Sequence, residues 1–270
     1  MVRQPVRSRP RGKPRVRLLF SCVGRRVELI RAFRRAAARL DVALAIHGCD
    51  TTPLAPAMHC VDRAHLVPPI ADNGYIDALV ALAEHERINL LIPLLDLELV
   101  PIAAAVDRFA AAGCRALVSS ESVVRTCRDK LATCRALQAA GIDTPKTWAW
   151  TDAITRKRHR FPYFLKPRAG SAAMGNYVVR TRDELHTFGL RVPDAIVQEY
   201  IAGAEHTLDV YTGFDGRPRY VVPRKRLEVR TGEVSKGLIV KDPHIMDVGR
   251  RVADMLEACR GVVTVQCIVA

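Results

Sequence analysis

Apolar runs and helical periodicities alternate along the first 120 residues. Val16 to Ser21 is a short apolar run, Cys22-Val23-Gly24 is a turn, and from Arg26 to Leu40 the positions Val27, Ile30, Phe33 and Ala37 recur on one helical face. A second apolar run, Val42 to Ile46, ends at Gly48-Cys49-Asp50, which closes a βαβ unit with an acid at the end of its second strand. Strands are then expected at His65 to Val67, Ile88 to Ile92 and Arg115 to Val118, with helices at Tyr75 to Glu86 and Leu97 to Ala112. Strand and helix in regular succession predict a parallel α/β sheet of Rossmann-like type. Only Gly24 of a G-x-G-x-x-G is present, so the dinucleotide fingerprint is missing.

Past residue 120 the pattern changes. Ser119-Ser120-Glu121 turns into a helical stretch that passes through Arg128-Asp129-Lys130 to Ala140 and is closed by Gly141 as a C-cap; Ile142 to Thr147 crosses over in extended form. Short strands at 161–166, 176–180, 195–199, 206–214 and 218–223 alternate with a helix from Arg182 to Gly189, and a last helix is expected from Pro243 to Cys259 before a buried strand at Val262 to Val269. That is an α+β pattern rich in hairpins. The expected division is a basic tail at 1–14, a Rossmann-like domain at 15–120, and a second domain in two halves, 121–195 and 196–270.

Composition changes this picture little. With 270 residues, 49% of them hydrophobic, the chain can bury one large core or several small ones. Its longest apolar region, Ile88 to Val106, is interrupted by Pro93, Asp96, Glu98 and Pro101, so no transmembrane span is expected and no membrane partner. A net charge of +14 invites a nucleic-acid reading. Half of that excess, however, comes from the seven cations at Arg3 to Arg17, where Pro5, Pro10 and Pro14 prevent a helix and no aromatic residue interleaves the arginines. The segment reads as a solvated tail rather than a nucleic-acid surface. Eight cysteines show no C-x-x-C pair, no metal-ligand spacing and no secretory signal before them, which suits reduced thiols in a cytoplasmic protein.

The candidate chemistry lies in Phe161 to Gly175. An apolar strand ends in Lys166-Pro167-Arg168 and becomes the small-residue loop Ala169-Gly170-Ser171-Ala172-Ala173-Met174-Gly175. Gly170 and Gly175 can adopt backbone angles closed to other residues, so main-chain N–H groups can approach an anion beside a compact cation, which is chemistry for a polyphosphate. By itself the window serves equally as a hairpin loop. Context adds three further features in order: Lys130 in Asp-Lys at a helix start, the run Val197-Gln198-Glu199-Tyr200-Ile201, and Glu205 shortly after it.

This order resembles the ATP-grasp family, in particular members similar to the large subunit of carbamoyl phosphate synthase. The words Ser21 to Ile30, Ala55-Pro56-Ala57 and Ile92 to Leu99 look like the Rossmann-like domain that precedes the grasp in that group. The resemblance covers about residues 15 to 270. It implies ATP and Mg²⁺ as cofactors. Lys130 and Lys166 would contact the ATP phosphates, with Arg168 as a further contact and Gly170, Ser171 and Gly175 in the phosphate cover. Gln198, Glu199, Tyr200 and Ile201 would form the adenine hinge, Glu205 would take the ribose hydroxyls, and Asp209 would support it from the same strand face. Arg224, in the polar run to Lys236, would meet the transferred phosphoryl group; the same run reads otherwise as a solvated charged hairpin. Gln266 matches one family Mg²⁺ ligand, while the Glu-x-Asn of the next strand has no match before Ala270.

The implied activity is that of an ATP-dependent ligase that activates an unknown carboxylate as an acyl phosphate for an amine or similar nucleophile. The expectation is a C-terminally shortened chain that lacks the last grasp strands and turns over little. Its open apolar edge is one where a second copy could pair into a homodimer. The alternative is a nucleotide-binding regulatory or scaffold protein without a full metal site.

Overall fold

The computed structural model describes residues 13–170, 174–230 and 233–270, so Ser171 and most of the basic tail lie outside the described residues. The chain forms two compact units, Met1–Val118 and Ser119–Ala270.

The first unit is a five-stranded parallel sheet of Arg15–Ser21 (β1), Ala43–Asp50 (β2), Arg63–Leu66 (β3), Leu90–Pro93 (β4) and Arg115–Ala116 (β5), in the order β3-β2-β1-β4-β5. Helix Val27–Arg39 (α1) presents Ile30 to Leu18, Phe20 and Ile46, with Phe33 edge-on to Phe20 at 5.1 Å. Leu19, Leu79, Leu91, Ile102 and Phe109 are also fully buried. Helix Tyr75–His85 (α2) supplies Leu79 and Tyr75. The helix expected over 97–112 is broken into a single 3₁₀ turn, Asp96–Glu98, and two short helices, Leu99–Ala104 (α3) and Val106–Ala111 (α4), with Ala105 outside the helical region at φ −109°. Glu98 explains the acid in this apolar run. Its fully buried carboxylate accepts the Tyr75 hydroxyl at 2.5 Å and the N–H groups of Leu94 and Leu95 at 2.9 and 3.0 Å. At the end of β1, Gly24 takes φ +51° and donates its N–H to Asp50 at 2.9 Å.

The second unit holds two antiparallel sheets. One contains Thr147–Ala149 (β6), Tyr163–Pro167 (β7), Tyr177–Val179 (β8) and Ala195–Glu199 (β9), in the order β6-β9-β7-β8. The other contains Ala204–Thr212 (β10), Pro218–Arg230 (β11), Glu233–Ile239 (β12) and Gly261–Val269 (β13), in the order β12-β11-β10-β13. The helical stretch expected to run through Lys130 is two helices, Glu121–Arg128 (α5) and Lys130–Ala139 (α6). Asp129 parts them, because its side chain caps the N–H groups of Leu131 and Ala132 at 2.9 and 3.0 Å. Trp150–Ile154 (α7) and Arg182–Arg191 (α8) bury Ala153 and Leu185 with Tyr163, Leu165, Val179 and Val197 of the first sheet. Pro243–Met255 (α9) ends four residues earlier than expected and packs Ile245 and Ala253 on Leu208, Val210 and Val221 of the second sheet. The strand expected at 218–223 continues through the polar run from Arg224: β11 extends to Arg230 and pairs with β12 as a long charged hairpin.

Candidate nucleotide site

Alternation along β10 sorts its side chains by chemistry. Leu208 and Val210 go under α9, which leaves Glu205, Thr207 and Asp209 on the opposite face. Thr207 stands across from Arg224 on β11 and Gln266 on β13, and Asp209 stands across from Val222 and Thr264. The face is therefore polar along one row after another. Arg224 Nε donates to Asp209 Oδ2 at 2.8 Å, the Thr264 hydroxyl donates to Asp209 Oδ1 at 3.3 Å, and Arg226 Nη1 lies 3.2 Å from Glu205 Oε2. Arg226 was not singled out in the sequence; the strand alternation beyond Arg224 is the signal that would have found it.

Lys166 lies near the end of β7, opposite Ile196 of β9. Burial lowers its pKa, the Cys134 sulfur and the Glu205 carboxylate act against that, and Lys130 adds to it. Lys130 is the first residue of α6, and its ammonium donates to the carbonyls of Pro167 at 3.0 Å and Gly170 at 2.9 Å. It thus clamps the entry of the small-residue loop, where Gly170 and Gly175 take φ of +102° and +72°. Gly175 returns over Pro167, since a Cβ there would come within 3.2 Å of Pro167 Cγ.

Arg168 is committed elsewhere than the resemblance implies. Its Nε and Nη2 form a fork to Asp129 at 2.9 and 2.6 Å, and this pairing holds the Asp129 carboxyl down at about 2. Gln198 is likewise turned inward. It is buried, and its amide nitrogen donates to Thr147 Oγ1 at 2.8 Å and Cys134 Sγ at 3.3 Å. The Glu199 N–H is taken by the Lys146 carbonyl at 2.9 Å. Of the expected hinge, Tyr200 and Ile201 fall between the end of β9 and the start of β10, outside both ladders, with Tyr200 exposed. Glu205 is the second residue of β10.

Residues 127–270 match the family described as ATP-grasp domain, and residues 18–117 match the PylC-like, N-terminal domain. The chain belongs to the ATP-grasp family. Similar solved structures show the same fold at low identity. The L-amino acid ligase from Bacillus licheniformis is 16% identical with a TM-score of 0.68, over 95% of this chain and 64% of that one. The biotin carboxylase from Campylobacter jejuni, in complex with β,γ-ATP, is 15% identical with a TM-score of 0.71, over 93% and 62%. The N5-carboxyaminoimidazole ribonucleotide synthetase from Thermotoga maritima is 15% identical with a TM-score of 0.65, over 94% and 65%. The chain therefore spans somewhat less than two thirds of each of these three. No curated protein matches its sequence.

ATP-grasp ligases use ATP and Mg²⁺. The chemistry suits a nucleotide: Lys130 reaches the carbonyls of Pro167 and Gly170 at the entry of a loop with two glycines of positive φ, Lys166 stands on the strand that leads into it, and Tyr200 and Ile201 lie outside both ladders. Toward Mg²⁺, which nucleotide phosphates help to hold, Gln266 is the one side-chain oxygen the resemblance assigns. Among the described residues no group of three or more His, Cys, Asp or Glu could hold an ion, and Gln266 stands in a row with Thr207 and the cation Arg224.

Proposed function

We propose that this ATP-grasp chain carries the nucleotide grip of an ATP-dependent ligase that joins a carboxylate to an amine. The observation that carries the reading is the placement of two cations: Lys166, half-buried near the end of the strand that leads into the glycine loop, and Lys130, whose ammonium sits on the carbonyls of Pro167 and Gly170 at the entry of that loop. Lys166 and Lys130 bind phosphate oxygens, with Gly170, Ser171 and Gly175 covering them. Lys130 can do so by exchanging loop carbonyls for phosphate as the loop closes. The Tyr200 and Ile201 main chain receives the base between apolar walls, and Glu205 accepts the ribose hydroxyls. The inward side chain of Gln198 and the engaged N–H of Glu199 support the hinge rather than touch the base.

In the reaction a substrate carboxylate oxygen attacks the γ-phosphorus and ADP leaves. The amine lone pair then attacks the acyl carbon, the carbon–oxygen bond to phosphate breaks, and the amine loses a proton. Arg224 neutralises charge on the phosphoryl group as it moves, at the cost of part of its pairing with Asp209. Bound Mg²⁺ would supply further charge neutralisation, with Gln266 as this chain's contribution. The similar structures named above are a ligase, a carboxylase and a synthetase, which supports this reading over an inactive scaffold. A cytoplasmic setting, pairing into a homodimer and a division of the second unit near residue 195 belong to the same proposal.

Thermal unfolding with and without MgATP tests it. At a free concentration of about 100 Kd, a ligand that binds only the folded state adds about 2.7 kcal/mol. MgATP is expected to raise the melting temperature of the wild-type chain and not that of Lys166→Ala. No shift in the wild type at millimolar MgATP overturns the reading.

A further inference from the structure

Beneath the hinge, two strands and a helix meet at one sulfur. Cys134 is buried on α6, one turn after Lys130, and polar side chains converge on its Sγ: the Gln198 amide at 3.3 Å, the Thr147 hydroxyl at 3.4 Å and the Thr144 hydroxyl at 3.5 Å. Thr147 has a single proton, and the shorter contact to the Pro145 carbonyl at 2.8 Å takes it, so Gln198 and Thr144 are the donors to sulfur. Gln198 also donates to Thr147 at 2.8 Å. It stands two residues before Tyr200. The sulfur therefore fixes β9 just before the hinge, and the segment leading into β6, against the helix whose first residue clamps the glycine loop.

The same sulfur favours the charged form of the Lys166 amine. The titratable groups around that amine are Cys134 and Lys130 from α6 and Glu205 from β10, and Cys134 favours the charged amine more than Glu205 does. No carboxylate sits in the buried cluster formed by Cys134, Thr147 and Gln198. A soft acceptor that satisfies two neutral donors is an unusual choice if packing alone were needed, because an aliphatic side chain would fill the volume.

We propose that Cys134 is a positioning residue of the nucleotide grip: its sulfur holds the hinge strand to α6 through Gln198 and Thr144. The proposal rests on the nucleotide-binding reading above. Replacing the sulfur by an alkyl group would leave the Gln198 amide without one acceptor and remove the favourable partner of Lys166 in one step.

The experiment is calorimetric titration of the full chain with MgATP between pH 6.5 and 10. Wild type and Lys166→Ala come first; if the wild type does not bind, the nucleotide reading falls and this inference falls with it. Given wild-type binding, Cys134→Val is expected to weaken MgATP about tenfold near neutral pH and to move the alkaline loss of affinity to lower pH. Cys134→Ser keeps an acceptor and is expected to stay within about threefold of wild type. Thr144→Val, which removes a donor and leaves the sulfur, should weaken binding without moving the alkaline limb. Two results overturn the inference: Cys134→Val that melts earlier yet binds MgATP like wild type across the pH range, or Cys134→Ser that loses as much as Cys134→Val. Should Cys134→Val not fold, Cys134→Ser and Thr144→Val still decide it. Serine losing about tenfold, or the threonine variant moving the alkaline limb, then overturns the proposal.

Discussion

Single side chains here do two kinds of work, and Asp129 shows both. Its carboxylate caps α6 and receives the fork of Arg168, so its folded pKa of about 2 lies below the usual carboxylate value of 3.8. A depressed carboxyl pKa contributes stability that is present above the unfolded value and is lost as the pH falls through the folded one. Asp129→Ala is therefore expected to cost about 1–2 kcal/mol near neutral pH, in the range of a lost cap with a partly exposed ion pair. The difference between variant and wild type should shrink between pH 4 and pH 2, as denaturant unfolding across that range would show. His47 and His65 have the same sign, but in them it is the neutral form that the fold favours. Their rings stack with 3° between planes, Nδ1 of one lies 3.1 Å from Nε2 of the other, and burial lowers both pKa values from 6.5. Each also feels Arg63 and Glu86, and His65 feels His85 as well. A histidine held neutral contributes stability above the unfolded value that is lost as the pH drops below it. We expect the first unit to weaken below pH 6.5, and His65→Gln to flatten that dependence in thermal melts at pH 5 to 7.5.

At the level of elements, an apolar run was legible where a strand is covered on both faces, as the end of β1 is, and periodicity where a helix buries one face, as α1 does. Three misreadings have physical causes. Asp129 sits inside a continuous helical periodicity, and only the demand of two N–H groups for a carboxylate makes it a cap. The 97–112 helix is interrupted where the 3₁₀ turn delivers Glu98 to Tyr75, a buried polar contact that periodicity does not report. The strand expected to end at 223 runs on to Arg230, because the charges past Arg224 sit on paired strands; Lys236 reaching Glu228 at 2.7 Å is a cross-strand ion pair. The site was legible as an order of motifs, while the inward roles of Gln198 and Cys134 depend on which strand face each occupies. Close helix–sheet contact gives a test on this scale. A Cβ at Gly249 would come within 2.7 Å of Val221 Cγ1 and 3.1 Å of Leu208 Cδ2, so α9 lies against the sheet only because that position has no side chain. Gly249→Ala is expected to destabilise the second unit by about 1–3 kcal/mol in chemical denaturation, an overpacking cost that outweighs the gain in helix propensity.

Across the whole molecule, each compact unit has a core of its own: Leu18, Phe20, Ile30 and Ile46 in the first, and separate clusters around Leu165 and Leu208 in the second. Every residue assigned to the nucleotide belongs to residues 119–270, from Lys130 to Gln266. Linkage then sets an expectation that neither unit alone could supply. A ligand that binds one unit stabilises the transition of that unit and leaves the other where it was, unless the two unfold together. We expect calorimetry of the full chain to resolve two transitions. Phe109→Ala, which opens a cavity in the first core, should lower one of them by the several kcal/mol typical of an aromatic truncation, and Leu208→Ala should lower the other. MgATP should then raise only the transition that Leu208→Ala identifies. A single transition that both substitutions lower and MgATP raises would mean that the units unfold as one body. A rise confined to the transition that Phe109→Ala marks would place the nucleotide on the Rossmann-like sheet and remove Lys166 from the argument.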